Sequence, residues 1–514
     1  MTRDLPPVMA DGRGGRLVAL ALIGVAQAGL LGIAAFATRA AFSALHAGGA
    51  PSTHALAVLV IAGAGAAGCE AAARVLGEAV GQRYASAVRV TLYAALAAWP
   101  RDALRSRRLG SLALRFVGDL SAVRRWFGLA LPGLVSSAAA LPGVALVLVL
   151  LDPRAGAMAL SAVGLSLLAM AGTAWQLKRR HRRLRARRAS IAIAAMERLE
   201  VAPDLDLMGR TRKELDTLAR QGDRLREGAV ARERRTALLR LLPQIGTAAG
   251  GALVLLTAGH GEMQAGTAAA MLAMLAILGL HLRDLAEAWD AGSAWSVARA
   301  KLRAVLAQAG DAREPEPRAA PVSLAVRSPR ACFRAPAGGL VRLSGPPGTG
   351  KTRLAEVIAG LSRDDDISVR YDGARSLPSV AHVGARPPVL RGSLRRTLTL
   401  GVSPRPSAKV VAATARGFGL SPLLSRIGGV RGRVAGPDAL SDGETLRIAL
   451  ARAALSRPDL VVIDNAAFRA DPEASALLSR LRGKAPATIL VVSNVPLPGE
   501  VCIALEQPFR EEAQ

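Results

Sequence analysis

The residues best suited to chemistry sit in the last third of the chain. Gly345-Pro346-Pro347-Gly348-Thr349-Gly350-Lys351-Thr352 follows the pattern G-x-x-x-x-G-K-[ST]. Its glycines allow a loop whose backbone N–H groups point at phosphate oxygens. Lys351 adds positive charge for the β- and γ-phosphates, and the Thr352 hydroxyl is a Mg²⁺ ligand. Arg353 opens the stretch Arg353-Leu354-Ala355-Glu356-Val357-Ile358, which reads as the helix such a loop must enter, and joins the phosphate-binding set. Further on, Leu460-Val461-Val462-Ile463 ends in Asp464, an acid placed to hold Mg²⁺ directly or through water. A strand ending in Asp means little alone. Beside the loop, it makes a site for ATP and Mg²⁺.

Such a loop must leave a strand, and Leu340-Val341-Arg342-Leu343-Ser344 supplies one. From 322 to 508, short β-type runs alternate with helical stretches, as in a parallel α/β sheet. Ahead of them, Gly310-Asp311-Ala312-Arg313-Glu314-Pro315-Glu316-Pro317-Arg318 is polar and Pro-rich. It reads as the centre of a linker over 309–321, and 509–514 as a tail.

The first 308 residues are of another kind. Apolar runs lie at roughly 17–38, 55–73, 129–151, 155–177, 241–258 and 265–282, near the ~20 residues a helix needs to cross a bilayer. Ala and Gly abound in them, and small residues let helices approach closely in lipid. The first run is too long for a signal-peptide core and reads as a retained span. The joints alternate in charge. Residues 42–54 and 260–264 carry no Lys or Arg, and Asp152-Pro153-Arg154 carries one. By contrast, 74–125 is rich in Arg, and 178–235 opens with Lys178-Arg179-Arg180-His181-Arg182-Arg183. The positive-inside rule puts both long joints and both termini in the cytoplasm. Both joints mix charge with periodic apolar residues and read as helical extensions of the spans. The expectation is a multi-pass protein of a bacterial-type inner membrane with a cytoplasmic ATP-binding domain.

This topology also explains the formal charge of +28. The basic runs flank apolar spans, and aromatics are only 3% of the chain, so nucleic acid is not the expected partner. Cys69, Cys332 and Cys502 are scattered and show neither metal nor disulfide spacing. Glu70 lies inside the second run. An ionisable residue at membrane depth is a functional candidate. Arg74 and Glu78, one and two turns later, favour a helix already in aqueous surroundings there.

The segment Leu440-Ser441-Asp442-Gly443-Glu444, with the helical run after it, resembles the ABC signature, usually Leu-Ser-Gly-Gly-Gln. Gly110-Ser111-Leu112 through Asp119-Leu120-Ser121-Ala122-Val123 is similar to an exporter pattern in the first joint. Six spans, two long joints, linker and nucleotide domain stand in the order of an ABC exporter half-transporter. The resemblance implies an all-α six-helix transmembrane domain followed by an α/β P-loop ABC ATPase domain. It also implies a dimer in which Ser441 and Gly443 meet the γ-phosphate of ATP held on the partner's P-loop. Asp442 and Glu444 depart from the signature, and an acid facing phosphate is unfavourable unless it points away.

Other departures fall where the family keeps its hydrolytic groups. After Asp464 a Glu normally polarises the attacking water; here stands Asn465, which cannot take a proton as a carboxylate does. Val491-Val492-Ser493-Asn494 puts Asn494 at the switch-histidine position, and Val383-Gly384-Ala385 puts Ala385 at the loop-glutamine position. The adenine-stacking aromatic has no counterpart nearer than Val326. Of the D-loop, Phe468-Arg469-Ala470-Asp471 keeps Asp471.

Three readings follow. In the first, this chain is the degenerate-site subunit of a heterodimer, binding ATP and completing a second half-transporter's site. In the second, it is a slow homodimeric exporter. In the third, it is an ATP-sensing membrane regulator or assembly subunit that transports nothing. The spans show no aromatic cage and no clear charge constellation, so the transported substrate is not readable.

Overall fold

A computed structural model of the chain describes residues 4–105, 112, 115–261, 263–308, 316 and 320–505. Most of the expected linker, the tail, Gly110-Ser111 and Glu262 lie outside the described residues. Two compact units emerge. One holds Met1–Trp99 and Leu104–Gly310, the other Pro100–Ala103 and Asp311–Gln514.

The first unit is built on six long helices: α1 (Arg13–His46), α2 (Thr53–Ala97), α3 (Leu131–Leu151), α4 (Pro153–Glu200), α5 (Thr211–Gly259) and α6 (Ala265–Leu306). Each contributes a stretch long and apolar enough to cross a membrane. A 45-residue helix such as α2 is roughly 67 Å long, about twice the hydrocarbon core. The joints in sequence are therefore largely helix in structure. Only the short helix Ala202–Leu207 separates α4 from α5. Short joints are set by caps. Ser52 accepts from Ala55 N at the start of α2, and Asp152 accepts from Ala155 N at 2.9 Å with Pro153 next in line.

Small residues bring these helices together. A Cβ on Gly81 would lie 2.4 Å from the Gly128 backbone, and one on Gly24 would lie 2.5 Å from Ser136 O. That is the close approach the Ala/Gly composition predicts. The few aromatics are concentrated: Tyr84, Phe127 and Trp295 stack with centroids 4.0 and 5.3 Å apart, and Arg13 lies over the Tyr84 ring. Ile61, Leu165 and Leu168 are at least 70% exposed, and in a bilayer they face lipid.

Among the described residues, the second unit has two larger sheets and a two-stranded antiparallel ladder that pairs Gly392–Ser393 with Arg433–Val434. An antiparallel one is ordered β2-β1-β4, from β1 (Leu324–Ser328), β2 (Ala331–Ala335) and β4 (Ser368–Tyr371). The parallel one runs β8-β3-β7-β6-β5, from β3 (Leu340–Ser344), β5 (Val380–Val383), β6 (Leu460–Ile463), β7 (Thr488–Val492) and β8 (Val501–Ala504). Every residue of β6 and β7 is buried, as unbroken apolar runs in a sheet covered on both faces must be. Three helices bear on the site: α7 (Lys351–Ile358), α8 (Asp442–Ser456) and the short α9 (Ala466–Ala470). Within this unit, Arg101 N donates to Leu361 O at 2.7 Å, and the Arg101 guanidinium meets the buried Glu356 carboxylate at 3.1 Å.

Candidate nucleotide site

The carboxyl ends of β3, β6 and β7 lie side by side, the usual place for a ligand in a parallel sheet. The phosphate loop runs from β3 into α7. Gly345, Gly348 and Gly350 take φ of 143°, 84° and 85°, conformations that a side chain disfavours. At Gly345 there is also no room: a Cβ would lie 2.5 Å from Leu505 O. Thr349 is buried and donates to Pro346 O, which pins the loop from inside. Lys351 Nζ folds back onto Gly345 O and Pro346 O, both at 2.6 Å. Its pKa is lowered, first by burial and then by nearby Arg469, while Asp464 opposes the shift. Thr352 is exposed on the first turn of α7. Arg353 turns to Asp364 at 2.7 Å, so its charge is already matched.

Asp464 and Asn465 follow β6, and Asn494 follows β7. Asn465 is 3% exposed, and both ends of its amide are engaged. Nδ2 donates to Gly384 O at 2.8 Å, and Oδ1 accepts from Phe468 N at 3.2 Å as the N-cap of α9. This side chain has a structural task. Asn494 Oδ1 accepts from Gly345 N at 3.1 Å, tying β7 to the phosphate loop. Val326 is 1% exposed and pairs across the strands with Phe333, so it offers no face to a base. Arg330, in the β1–β2 turn, brings a guanidinium nitrogen within 3.5 Å of where a Cβ on Gly350 would sit.

Arg469 is the residue that sequence reasoning passed over. From α9 its guanidinium donates to Asp464 Oδ1 at 3.2 Å and reaches Val492 O at 3.5 Å. Thr352 and Asp464 are the right oxygen donors for Mg²⁺. The carboxylate, however, already carries a cation, and a dication placed against a guanidinium is repelled. As folded, the residues at Asp464 do not fit the Mg²⁺ ion expected from sequence.

The signature segment also resolves at residue level. Ser441 caps α8: its hydroxyl accepts from Glu444 N at 3.2 Å while the Glu444 carboxylate accepts from Ser441 N at 3.0 Å. Arg426 holds that carboxylate from the other side at 2.9 Å. Glu444 is thus turned back onto its own helix start, which removes the objection to an acid at this position. The pattern Ser-x-x-Glu is a capping box and was legible in sequence. Gly443 lies on the first turn with nothing within 4 Å of where a Cβ would stand. Replacing Glu444 by Ala removes half of the box and the Arg426 pair, and should lower stability by about 1 kcal/mol. Thermal unfolding of the full chain checks this.

Residues 330–467 match the family model described as ABC transporter. This region is an ABC transporter domain. ATP binding follows from that family. The ABC transporter ATP-binding protein RamB of Streptomyces coelicolor is 30% identical over 170 residues, 32% of this chain and 28% of that protein. The β-(1→2)glucan export ATP-binding/permease protein NdvA of Agrobacterium fabrum is 34% identical over 153 residues, 28% of this chain and 26% of that one. The zinc import ATP-binding protein ZnuC of Vibrio cholerae is 34% identical over 162 residues, 30% and 57% of the two chains. The matched part of this chain spans about a quarter of the length of RamB and NdvA. Export and import proteins both match, so the ABC domain by itself does not set a direction.

Fold adds the rest. A bacterial Atm1-family ABC exporter with ATP bound superposes with a TM-score of 0.80, over 96% of this chain and 94% of that one, at 18% identity. In fold, the chain therefore follows that protein over nearly its full length, with six helices long and apolar enough to cross a membrane ahead of the ABC transporter domain.

Within the membrane unit the structure corrects one expectation. The spans do assemble a polar constellation. Ser137, buried on α3, lies 3.2 Å from His281 Nδ1 and donates to Asp284 Oδ2 at 3.3 Å, both on α6. His281 and Asp284 line a cavity of about 580 Å³ with Glu70, Arg74, Arg125 and Glu287. Glu70 pairs with Arg74 at 2.6 Å, one turn along α2. These groups are far apart in sequence and meet only because α2, α3 and α6 pack together.

Proposed function

We propose that this chain is the degenerate-site half of a heterodimeric ABC exporter. It binds ATP at its own phosphate loop without turning it over. With Ser441 and Gly443 it completes the site of a second half-transporter, and closure around ATP drives the membrane helices between inward- and outward-facing states. The observation that carries this reading is the engagement of Asn465. A group that positions water must present a free carboxylate toward the γ-phosphate. Asn465 is no carboxylate, and its amide is spent on Gly384 and on the start of α9. The switch position is likewise committed, since Asn494 accepts from the phosphate loop. What remains serves binding: an intact loop, Lys351, and a capped signature helix whose N-terminus suits an anion. Mg²⁺ takes no part in this reading at the chain's own loop.

The cavity lined by Glu70, His281, Asp284 and Glu287 favours transport over a purely sensory role, because a sensor needs no polar chamber within its spans. Titratable groups of both signs suit a polar or charged cargo. The test is the ATPase rate of the full chain in lipid, alone and with its partner half. Alone it should turn over at least about 100-fold more slowly than the pair, as expected when a water-positioning group is missing. Equal rates would remove the heterodimer reading.

A further inference from the structure

Arg469 has no part in the function proposed above, yet it sits on Asp464, the carboxylate at the end of β6. Its position is fixed from several sides. Asn465 caps the start of α9, and Phe468, 1% exposed, anchors the helix in the core. Just past α9, Arg447 holds Asp471 at 3.3 Å. Between these anchors the Arg469 guanidinium reaches back to Asp464 and to Val492 O. Asp464 is largely buried, with its side chain 10% exposed, so its charge calls for a partner inside the protein.

Local charge shows what the arrangement does. Lys351 and Asp464 alone sum to zero, and an ordinary site of this kind gains its positive excess from Mg²⁺. Here Arg469 neutralises Asp464 and leaves the Lys351 charge free for phosphate. The excess is present before any metal arrives. A dication entering beside Asp464 would meet a guanidinium and find one of the two carboxylate oxygens already engaged. A guanidinium is also an effective phosphate ligand, since its planar fork donates two parallel hydrogen bonds.

We infer that Arg469 is a tethered cation in the place of Mg²⁺, so that this chain holds nucleoside triphosphate without a metal ion. The inference rests on the reading that the phosphate loop binds ATP.

The test uses the full chain in lipid nanodiscs, with the fluorescent analogue mant-ATP as probe. Titrations are run in excess Mg²⁺ and in EDTA. The two Kd values should agree within about threefold, and Arg469→Ala should weaken binding in EDTA by about tenfold or more while making Mg²⁺ restore it. Arg469→Lys keeps the charge and loses the fork, and should fall between them in EDTA. A second readout does not depend on affinity. With nucleotide present, Mn²⁺ followed by electron paramagnetic resonance should stay free with the natural chain and become bound with Arg469→Ala. The inference is overturned if the natural chain needs metal by about tenfold or more, or if Arg469→Ala binds like it in EDTA. If neither Mg²⁺ nor EDTA supports binding, the ATP-binding reading fails with it. Loss of binding in Lys351→Ala under both conditions marks the signal as the phosphate loop's own.

Discussion

In the assembled pair, Gly443→Asp or Ser441→Ala in this chain should reduce ATP turnover by about 100- to 1,000-fold, the usual effect of losing a group that contacts the reacting phosphate. Lys351→Ala in the same chain should cost less than about tenfold. The asymmetry follows from where each residue acts in the proposed dimer. Ser441 and Gly443 belong to the partner's working site, whereas Lys351 serves the silent one. The two signature changes also separate chemistry from folding. Ser441→Ala removes a helix cap and should destabilise α8 by about 1 kcal/mol. Gly443→Asp leaves the capping box untouched and instead sets a carboxylate where a triphosphate would dock. A loss common to both is therefore not a folding defect. Steady-state ATPase of the purified pair decides it. Equal losses from Lys351→Ala and Gly443→Asp would mean that this chain's own loop is the working one.

Asn465→Glu should not restore hydrolysis to the chain alone. It should destabilise the ABC domain instead. The position is 3% exposed, and the amide nitrogen there donates to Gly384 O. A carboxylate would face that carbonyl with no donor between them, and the longer side chain is a poorer cap for α9. Loss of a buried hydrogen bond together with a carboxylate set against a carbonyl is expected to cost about 2 to 4 kcal/mol. For a domain of this size each kcal/mol shifts Tm by about 2–4 °C, so a fall of roughly 5–15 °C is expected. Asn465→Asp keeps the cap on Phe468 N but sets a carboxylate oxygen against Gly384 O where the amide nitrogen stood, so its fall should be comparable. Turnover in either variant should stay within about threefold of the natural chain, because Ala385 and Asn494 leave the attacking water without its other partners. A large gain in rate from Asn465→Glu, with Tm unchanged, would show a site degenerate at one residue only.

The sequence by itself determined the architecture and the phosphate-loop motif. Spans, joints and phosphate loop are written in contiguous runs, and their physics is local: apolar length against bilayer thickness, glycines against loop curvature, charge against membrane side. The places of Asn465 and Asn494 were legible for the same reason, since each follows a strand that could be read in sequence. The capping box at Ser441 and Glu444 lay in plain spacing too, and it explains an acid that electrostatics alone made puzzling.

Only the tertiary structure decided what the altered residues do instead. Asn465 joins Gly384 across 81 residues, and Asn494 joins Gly345 across 149. Ser137 meets His281 across 144, which turns scattered polar residues of the spans into one cluster. Arg469 is five residues from Asp464, yet its role was hidden as well. Whether that guanidinium faces solvent or the carboxylate depends on how α9 is anchored by Phe468 and Asp471. Hydrogen-bond partners at the carboxyl ends of parallel strands are set by which strands lie side by side. That order, β8-β3-β7-β6-β5, is a property of the folded sheet and of no single run of residues.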